Sequence, residues 1–404
     1  MSSQELNQPK AADLPLKGIR VVELSHMVMG PTCGMILGDL GAEVIKVEPP
    51  KGDGTRRLLG AGAGFFRTFN RNKKSITLDT ATAEGREALI RLVDTADVFV
   101  ENFKPGRMKE LGVDCESVRK RNPKLIYVSH KGFLNGPYEN RLALDEVVQM
   151  MAGLAYMTGP VGRPLRAGSS VNDIMGGMFG AIGVLAAIHE RDRTGLGKEV
   201  QSALFENCVL LSAQHMQQYA VTGQAAAPMP ERISAWAVYD VFELAGNEQL
   251  FIAATGDGQW RALCNILGRP DLLADPTLAT NNLRVVARPR LLATLRDTLK
   301  NFDGKTLVAD LERNHIPFAP ITRPEELFDD PHLLASGGLA KLTLEDGSQT
   351  DMPLLPISLD GARLAPRLPI AKTGEHTYEI LRSLGYTDEQ IAALPQPQRQ
   401  AASA

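Results

Sequence analysis

The sequence has few cysteines and no long apolar run, and these two scarcities exclude whole classes of protein. Its four cysteines, Cys33, Cys115, Cys208 and Cys264, are far apart and form no Cys-x-x-Cys pair, so we expect neither a disulfide framework nor a zinc site. The most apolar stretch, residues 174–188, ends before the roughly 18 residues that a membrane helix needs, and the N-terminus lacks a basic-then-apolar signal pattern. We therefore expect a cytoplasmic protein.

The common nucleotide-binding and hydrolase motifs are also missing. No Gly-x-Gly-x-x-Gly follows the first predicted strand, and neither a phosphate-binding Gly-x-x-x-x-Gly-Lys-Ser/Thr loop nor a Gly-x-Ser-x-Gly elbow occurs. None of the seven histidines lies three or four residues from another, which argues against a metal site. The sequence therefore predicts no metal and no permanently bound cofactor.

The net charge of −3 argues against nucleic acid as a partner. The charge is uneven, however, because residues 1–131 carry a net +5 and the remainder carries −8. A mildly basic first third suits a small anionic ligand, although a solvated, charged helix face explains the same excess.

Alternating short strands and helices dominate the first half of the chain. Residues 18–48 form a β-α-β pattern with strands at 18–24 and 42–47, and further strands are predicted at 75–78, 97–100 and 125–129. Helices are predicted at 82–95, between two of these strands, and at 145–157. This alternation is typical of a parallel sheet covered by helices on both faces. The sequence therefore predicts an α/β fold with a large Rossmann-like domain.

A second domain is expected because 404 residues exceed the roughly 250–300 that a single core usually serves. A Pro- and Ala-rich linker begins near residue 223. Two strands and three helices are predicted after it, at 237–243, 249–253, 257–267, 287–301 and 305–314. We assign 1–222 and 340–404 to the large domain and 223–339, with its linkers, to a smaller α+β domain.

The segment around Asp173 is rich in glycine, with Gly176, Gly177, Gly180 and Gly183 in the first part of a predicted helix. Each glycine costs a helix up to about 1 kcal/mol relative to alanine, so tight backbone packing is a natural reason for the run. One interpretation is structural, with residue 172 or 173 capping the helix. The other is that Asp173 is catalytic, and the residues alone leave both open.

Several ordered blocks resemble the class III CoA-transferase family, also called CaiB/BaiF and formyl-CoA transferase-like. The blocks occur in order between about residues 14 and 394, and they are 40–48 with 52–56, 70–75, 98–106, 124–133, 191–197, 275–276, 316–320, 330–331 and 374–376. The order of the whole set, rather than any single block, carries the resemblance.

The resemblance implies a nucleophilic Asp173 that passes CoA from an acyl-CoA to a carboxylic acid, with CoA in a cleft of the large domain. The positions that match the family's CoA contacts are His26, Met27, Val28, Met29, Leu78, Asn102, Phe103, Arg107 and Lys131. Pro49 stands where some relatives have an arginine, which puts one adenine-side contact in doubt. The resemblance also implies a homodimer of interlocked chains, and succinyl- or glutaryl-type dicarboxylates rather than formate and oxalate.

Two alternatives share the same fold. One is a 2-methylacyl-CoA racemase, which needs a second acid/base group; Leu144 occupies the position of the racemase histidine, beside Asp145. The acidic start of the helix at 145 also has a simple structural explanation, since it offsets the helix dipole. The other alternative is a CoA-ester-binding protein without turnover.

Overall fold

The computed structural model describes residues 14–232 and 234–394 and divides the chain into two compact units. The first unit runs to Pro228 and resumes at Pro331, and the second is Met229–Asp330. The expected boundaries, after 222 and after 339, lie six residues before and nine residues after the observed ones.

The first unit is built on a sheet of six strands, all paired in parallel, in the order β3-β2-β1-β4-β5-β6. This confirms the predicted α/β fold with a parallel sheet. The strands are β1 Arg20–Leu24, β2 Glu43–Glu48, β3 Lys73–Thr77, β4 Val98–Glu101, β5 Ile126–Lys131 and β6 Glu199–Ala203. The chain runs outward from β1 in one direction and from β4 in the other, so the connections diverge between these two strands.

Helices flank this sheet because its strands are buried on both faces and must be covered. They are α1 Met29–Asp39, α2 Phe65–Phe69, α3 Ala83–Asp94, α4 Arg107–Glu110, α5 Cys115–Arg121, α6 Asp145–Met151, α7 Leu154–Thr158, α8 Val171–Thr194 and α9 Leu204–Thr222. The single helix expected over 145–157 is two helices, because Gly153 adopts a left-handed φ of 86° between them.

Helices α1 and α8 pack so closely that the glycines of α8 are required. A Cβ at Gly177 would lie 2.6 Å from the Met29 carbonyl oxygen and 2.5 Å from the Thr32 Cβ, and one at Gly180 would lie 2.4 Å from the His130 ring. The close packing expected from the glycine run is confirmed, and it fixes the start of α8 against the start of α1.

The second unit is an α+β arrangement with a three-stranded antiparallel sheet in the order β7-β8-β9. Leu263 and Leu295 are buried with Phe242 and Ile252 of the sheet in its core. Its elements are β7 Val238–Glu243, β8 Gln249–Ala254, α10 Asp257–Ile266, α11 Pro270–Ala274, α12 Asn281–Val286, α13 Arg288–Leu299, α14 Gly304–Arg313 and β9 Phe318–Pro320. The two long strands and three longest helices lie within one or two residues of their predicted bounds, whereas β9, α11 and α12 were not predicted.

The C-terminal part rejoins the first unit and covers the edge of its sheet. Gly374 N donates to Ser75 Oγ at 2.8 Å, His376 N to the Ser75 carbonyl at 2.9 Å, and Thr77 N to Thr377 Oγ1 at 3.0 Å. These bonds satisfy the exposed edge of β3. The elements of this part are α15 Pro331–Ala335, β10 Leu339–Thr343, β11 Gln349–Pro353, β12 Ser358–Leu359, β13 Ala362–Arg363, α16 Thr377–Ser383 and α17 Asp388–Ala393.

Helix α8 corrects the expectation that no segment reaches membrane length. By length and composition alone it is apolar enough to cross a bilayer, with a mean hydropathy of 1.6 over its best 18 residues. Such a helix is weak evidence for a membrane span, because a helix in the core of a soluble protein passes the same test. The glycine face of α8 packs on α1, and its first turn contains Asp173, so the helix belongs to the fold of the first unit.

The contact between α1 and α8 predicts that Gly177→Ala destabilises the protein by about 1–3 kcal/mol, because the added methyl group meets backbone that has no room to move. Gly258→Ala is the matched control: Gly258 is also helical but has open space around its Cβ position, so that variant should be neutral or slightly stabilised. Thermal unfolding midpoints of the two variants test this. Equal midpoints would contradict the close packing.

Candidate active site

The loops after β1 and β4 meet at the carboxyl edge of the sheet, where its strand order diverges. His26 N donates to Asn102 Oδ1 at 3.0 Å, and Asn102 Nδ2 donates back to the His26 carbonyl at 2.8 Å. The His26 and Phe103 rings meet edge-on with centroids 5.1 Å apart. In open α/β sheets, ligands bind in the crevice at this switch point. Three residues predicted to contact CoA, namely His26, Asn102 and Phe103, therefore lie together at this edge of the sheet.

The other predicted contacts occupy the same edge in different ways. Val28 and Met29 are buried, and a Cβ at Gly176 of α8 would lie 2.2 Å from the Met29 Cε. Leu78 follows β3, but its side chain lies in the hydrophobic core, so only its backbone is left to meet a ligand. Arg107 begins α4 and bonds to Glu110 at 2.8 Å, and Lys131 ends β5.

Helix α1 begins at this edge, immediately after the loop at 25–28. The first N–H groups of any helix lack partners within the helix, and the helix dipole adds positive potential there. The start of α1 thus favours an anionic group of a ligand. The absence of the usual glycine motif remains consistent with a ligand other than a dinucleotide.

A buried ionic network supports the loop after β1, and the sequence analysis assigned no role to it. Lys46 Nζ donates to the Ser25 carbonyl at 2.8 Å and pairs with Glu23 at 3.3 Å and Asp53 at 3.1 Å. Glu23 also pairs with Lys73 at 2.7 Å. A signal was present in the sequence, because charged residues within apolar strands are rarely buried unless they are paired.

Met27, in the middle of this loop, has a left-handed φ of 62°. That conformation costs a residue with a Cβ about 1–2 kcal/mol, and such residues persist where the surroundings hold them. Here the Met27 N–H donates to Thr55 Oγ1 at 3.3 Å.

Asp173 lies in the first turn of α8, whose N-cap residue is Ser170, and the Ser170 side chain makes no capping hydrogen bond. The interpretation that residue 172 or 173 caps it is therefore wrong. Asp145 of α6 takes that role, since its Oδ2 accepts the N–H groups of Asn172 at 2.8 Å and of Asp173 at 3.0 Å. Asp145 thus does more than offset the dipole of its own helix.

Gln149 holds Asp145 in place, one turn further along α6. Its Nε2 donates to Asp145 Oδ1 at 2.5 Å, and its Oε1 accepts the Ala167 N–H at 2.8 Å. Helix α6 therefore braces the segment that leads into α8, which fixes the backbone of Asp173.

Burial raises the pKa of Asp173 to about 7, and the nearby charge of Asp145 adds to the rise. Its pKa therefore lies close to neutrality. Its carboxylate is weakly solvated when ionised, as suits a nucleophile in a water-poor site.

Residues that could hold a metal ion do not cluster in the described parts of the chain, where no group of three or more His, Cys, Asp or Glu side chains is suitably placed. The buried surroundings of Asp173 and its raised pKa suit covalent chemistry at its carboxylate. Leu144, at the N-cap of α6, is 67% exposed and supplies no acid/base group.

The fold and the site define a doubly wound α/β protein in which the loops after β1 and β4 meet at the switch point and α8 carries a carboxyl group of raised pKa, that of Asp173. The sequence profile of CoA-transferase family III matches residues 16–377. A CaiB/BaiF family protein from Brucella suis has the same fold, with a TM-score of 0.82 and 36% identity over 92% of this chain and 99% of that one.

Characterised relatives agree with the profile. The chain is 36% identical to the succinate–glutarate CoA-transferase of Agrobacterium fabrum and 34% identical to the succinyl-CoA:mesaconate CoA-transferase of Haloarcula marismortui. Each match covers 92% of this chain and 96% of the relative. The chain belongs to CoA-transferase family III and is a CoA-transferase.

The raised pKa of Asp173 predicts that Asp173→Asn stabilises the protein at pH 8, because it removes a buried carboxylate. The folded state favours the proton, so the penalty is complete above about pH 7 and disappears toward the unfolded pKa near 4. A shift of this size corresponds to about 4 kcal/mol at most.

Thermal midpoints between pH 4 and pH 8 test this prediction, with the exposed Asp192→Asn on the same helix as the control for charge removal. The midpoint difference between Asp173→Asn and the wild type should grow with pH. A difference that is constant across the range would contradict the raised pKa.

Proposed function

We propose that the protein transfers CoA from a succinyl-CoA-type dicarboxylate thioester to a carboxylic acid, with Asp173 as the nucleophile. The observation that carries this proposal is the half-buried Asp173, fixed at the start of α8 beside the loop that follows β1. The preference for dicarboxylates rests on the two relatives, which are named for succinate or succinyl-CoA.

The proposed reaction begins when the Asp173 carboxylate attacks the thioester carbonyl of the donor. The C–S bond breaks, CoA leaves as the thiolate, and a mixed anhydride between the acyl group and Asp173 remains. The thiolate then attacks the aspartyl carbonyl of this anhydride, which releases the donor acid as a carboxylate and leaves an aspartyl-CoA thioester.

The acceptor completes the cycle by the same two steps in reverse. Its carboxylate attacks the aspartyl thioester, expelling CoA thiolate and forming a second anhydride. The thiolate then attacks the acceptor's carbonyl, which gives the new acyl-CoA and regenerates the Asp173 carboxylate. No proton is consumed overall, and the complete cycle exchanges one acyl-CoA thioester for another of similar energy.

Water must be kept from the anhydride, because it hydrolyses readily. Each tetrahedral intermediate also needs hydrogen-bond donors. The N–H groups of residues 172 and 173 already bond to Asp145, so they are not free for this purpose. The first N–H groups of α1 are the candidates that the fold offers, because Met29 packs beside Gly176, one turn along α8 from Asp173.

Asp173→Ala should abolish transfer while leaving CoA binding and folding nearly intact, because only the nucleophile is lost. The measurement is the formation of new acyl-CoA from succinyl-CoA and a panel of carboxylic acids, with CoA affinity measured separately by calorimetry. Activity within tenfold of the wild type would refute the nucleophile assignment. Net hydrolysis alone, or no new acyl-CoA formed by the wild type from succinyl-CoA with any acid, would refute the proposed succinyl-CoA-type donor.

Hydroxylamine trapping during turnover locates the covalent intermediate, since the reagent cleaves an acyl-aspartyl bond and leaves a hydroxamate. The modification should map to Asp173. A label on Asp145 would show that Asp145, and not Asp173, is the nucleophile.

The racemase alternative is tested by proton exchange. In D₂O, 2-methylacyl-CoA should not exchange its α-proton. Rapid exchange would favour the racemase alternative instead.

We also propose that the chain works as an interlocked homodimer. The outer side of α8 leaves large apolar side chains uncovered in a single chain; they are Met178, Phe179, Ile182 and Leu185, each 37–54% exposed. Helix α9 does the same at Leu210, Met216 and Tyr219, each 56–58% exposed. Contiguous apolar surface of this kind is typical of an interface, and twofold dimers are the commonest assembly. The interlocking itself rests on the family resemblance. The cytoplasmic location inferred from the cysteines stays a prediction.

The dimer proposal predicts a mass of about twice 43.8 kDa by light scattering at low micromolar protein. Interlocked chains separate only by unfolding, so dissociation and loss of structure should coincide. Ile182→Glu on the uncovered face should misfold or aggregate, whereas Val286→Glu, at a position 82% exposed in the second unit, should keep the dimer mass. A folded species of single-chain mass that survives dilution would refute the interlocked dimer.

A further inference from the structure

The loop at 25–28 is held at three consecutive residues by three separate elements. Lys46 of β2 holds the Ser25 carbonyl, Asn102 after β4 holds both backbone groups of His26, and Thr55 accepts the Met27 N–H. Loops of this length are ordinarily held by fewer contacts and vary in conformation. This one is fixed residue by residue.

The Thr55 hydroxyl has a defined orientation. Thr55 Oγ1 lies 2.5 Å from Asp53 Oδ1 and donates its proton there, so its lone pairs are left to accept the Met27 N–H. The same Asp53 oxygen accepts the Thr55 N–H at 2.8 Å. Thr55 therefore cannot turn away without breaking contacts to Asp53.

Asp53 connects Thr55 to Lys46, which bonds to the start of the loop. Its Oδ2 pairs with Lys46 Nζ at 3.1 Å, and the same ammonium group bonds to the Ser25 carbonyl. Lys46, Asp53 and Thr55 are all at most 5% exposed. Buried ion pairs contribute little net stability but set geometry, and they are costly to break on one side. A closed circuit thus runs from the Ser25 carbonyl through Lys46, Asp53 and Thr55 to the Met27 N–H.

We infer that Lys46, Asp53 and Thr55 are positioning residues for the CoA thioester, because they hold Met27 in its left-handed conformation. The loop and the start of α1 then have their ligand-binding conformation before the ligand binds. This inference rests on the proposed CoA site, because the three residues act through the loop and do not touch the ligand. Preformed loops bind more tightly because less ordering remains to be done on binding. Loss of the Thr55 hydroxyl should therefore weaken CoA binding without altering Asp173.

Thr55→Val tests this, because valine keeps the shape of threonine and loses only the hydroxyl. The dissociation constant for free coenzyme A, measured by titration calorimetry, should rise about threefold to tenfold, as the loss of one hydrogen bond implies. Thr55→Ser restores the hydroxyl and should stay within twofold of the wild type. Thr55→Ala serves as a second hydroxyl-free variant should the valine variant not fold.

Thr82→Val is the matched control for a general loss of stability. The Thr82 hydroxyl also accepts a backbone N–H, from Gly85, and donates to the Asp79 carbonyl, but it caps α3, and the hydrogen bonds of Thr82 go to Asp79, Gly85 and Arg86 rather than to the loop at 25–28. It should lower the thermal midpoint without changing the affinity for coenzyme A. If Thr82→Val lost as much affinity for coenzyme A as Thr55→Val, the effect of Thr55 would be one of general stability only, and the inference would be overturned.

Asn102→Ala separates failure of this inference from failure of the CoA site. If Asn102→Ala weakens CoA binding and the hydroxyl-free Thr55 variants do not, the site stands and Thr55 has no positioning role. If neither change weakens binding, the loop is not the CoA site, and both proposals fall.

Discussion

The close approach of α1 and α8 is the contact on which the arrangement of the site depends. Helix α1 continues from the loop after β1, and α8 carries Asp173 in its first turn. Glycines at 176, 177 and 180 remove the side chains that would hold the two helices apart. Because interiors are packed as densely as organic crystals, an added methyl group would displace backbone. The Asp173 carboxylate and the loop at 25–28 therefore keep a fixed relation, although they lie 145 to 148 positions apart in sequence.

Asp173 illustrates how a carboxylate can occupy a position in which its ionised form lowers the stability of the folded protein. Burial and the charge of Asp145 both disfavour its ionised form. Asp145 nevertheless has a structural role, because it accepts two N–H groups at the start of α8 and so links that turn to α6. Gln149, also on α6, holds the Asp145 side chain in place. The same residue, Asp145, that fixes the backbone of Asp173 also raises the pKa of its carboxyl group. A carboxylate in this situation lowers the stability of the fold, and such groups are typical of active sites, which is why we propose Asp173 as the nucleophile.

Sequence periodicity predicted the sheet well because its strands are buried on both faces and bounded by clear turns. Strands β1, β2, β4 and β5 lie within about two residues of the predicted bounds. The short elements β9, α11 and α12 escaped prediction, because segments of three to six residues carry too little periodicity. Residues 145–157 were predicted as a single helix because the sequence pattern around Gly153 is helical. The pattern does not show that Gly153 adopts a left-handed conformation.

The sequence by itself determined the fold class, the glycine run that demands close packing, the family resemblance and Asp173 as the candidate nucleophile. The fold class and the glycine run follow from local pattern and composition, which do not depend on what folds against them, whereas Asp173 as the candidate nucleophile follows from the family resemblance. Only the tertiary structure decided that Asp145 rather than residue 172 or 173 caps α8, and that Lys46, Asp53 and Thr55 form one circuit around Met27. The physical reason is that hydrogen bonds and ion pairs between distant segments depend on where the sheet and helices bring those segments together, and no spacing along the chain encodes that meeting.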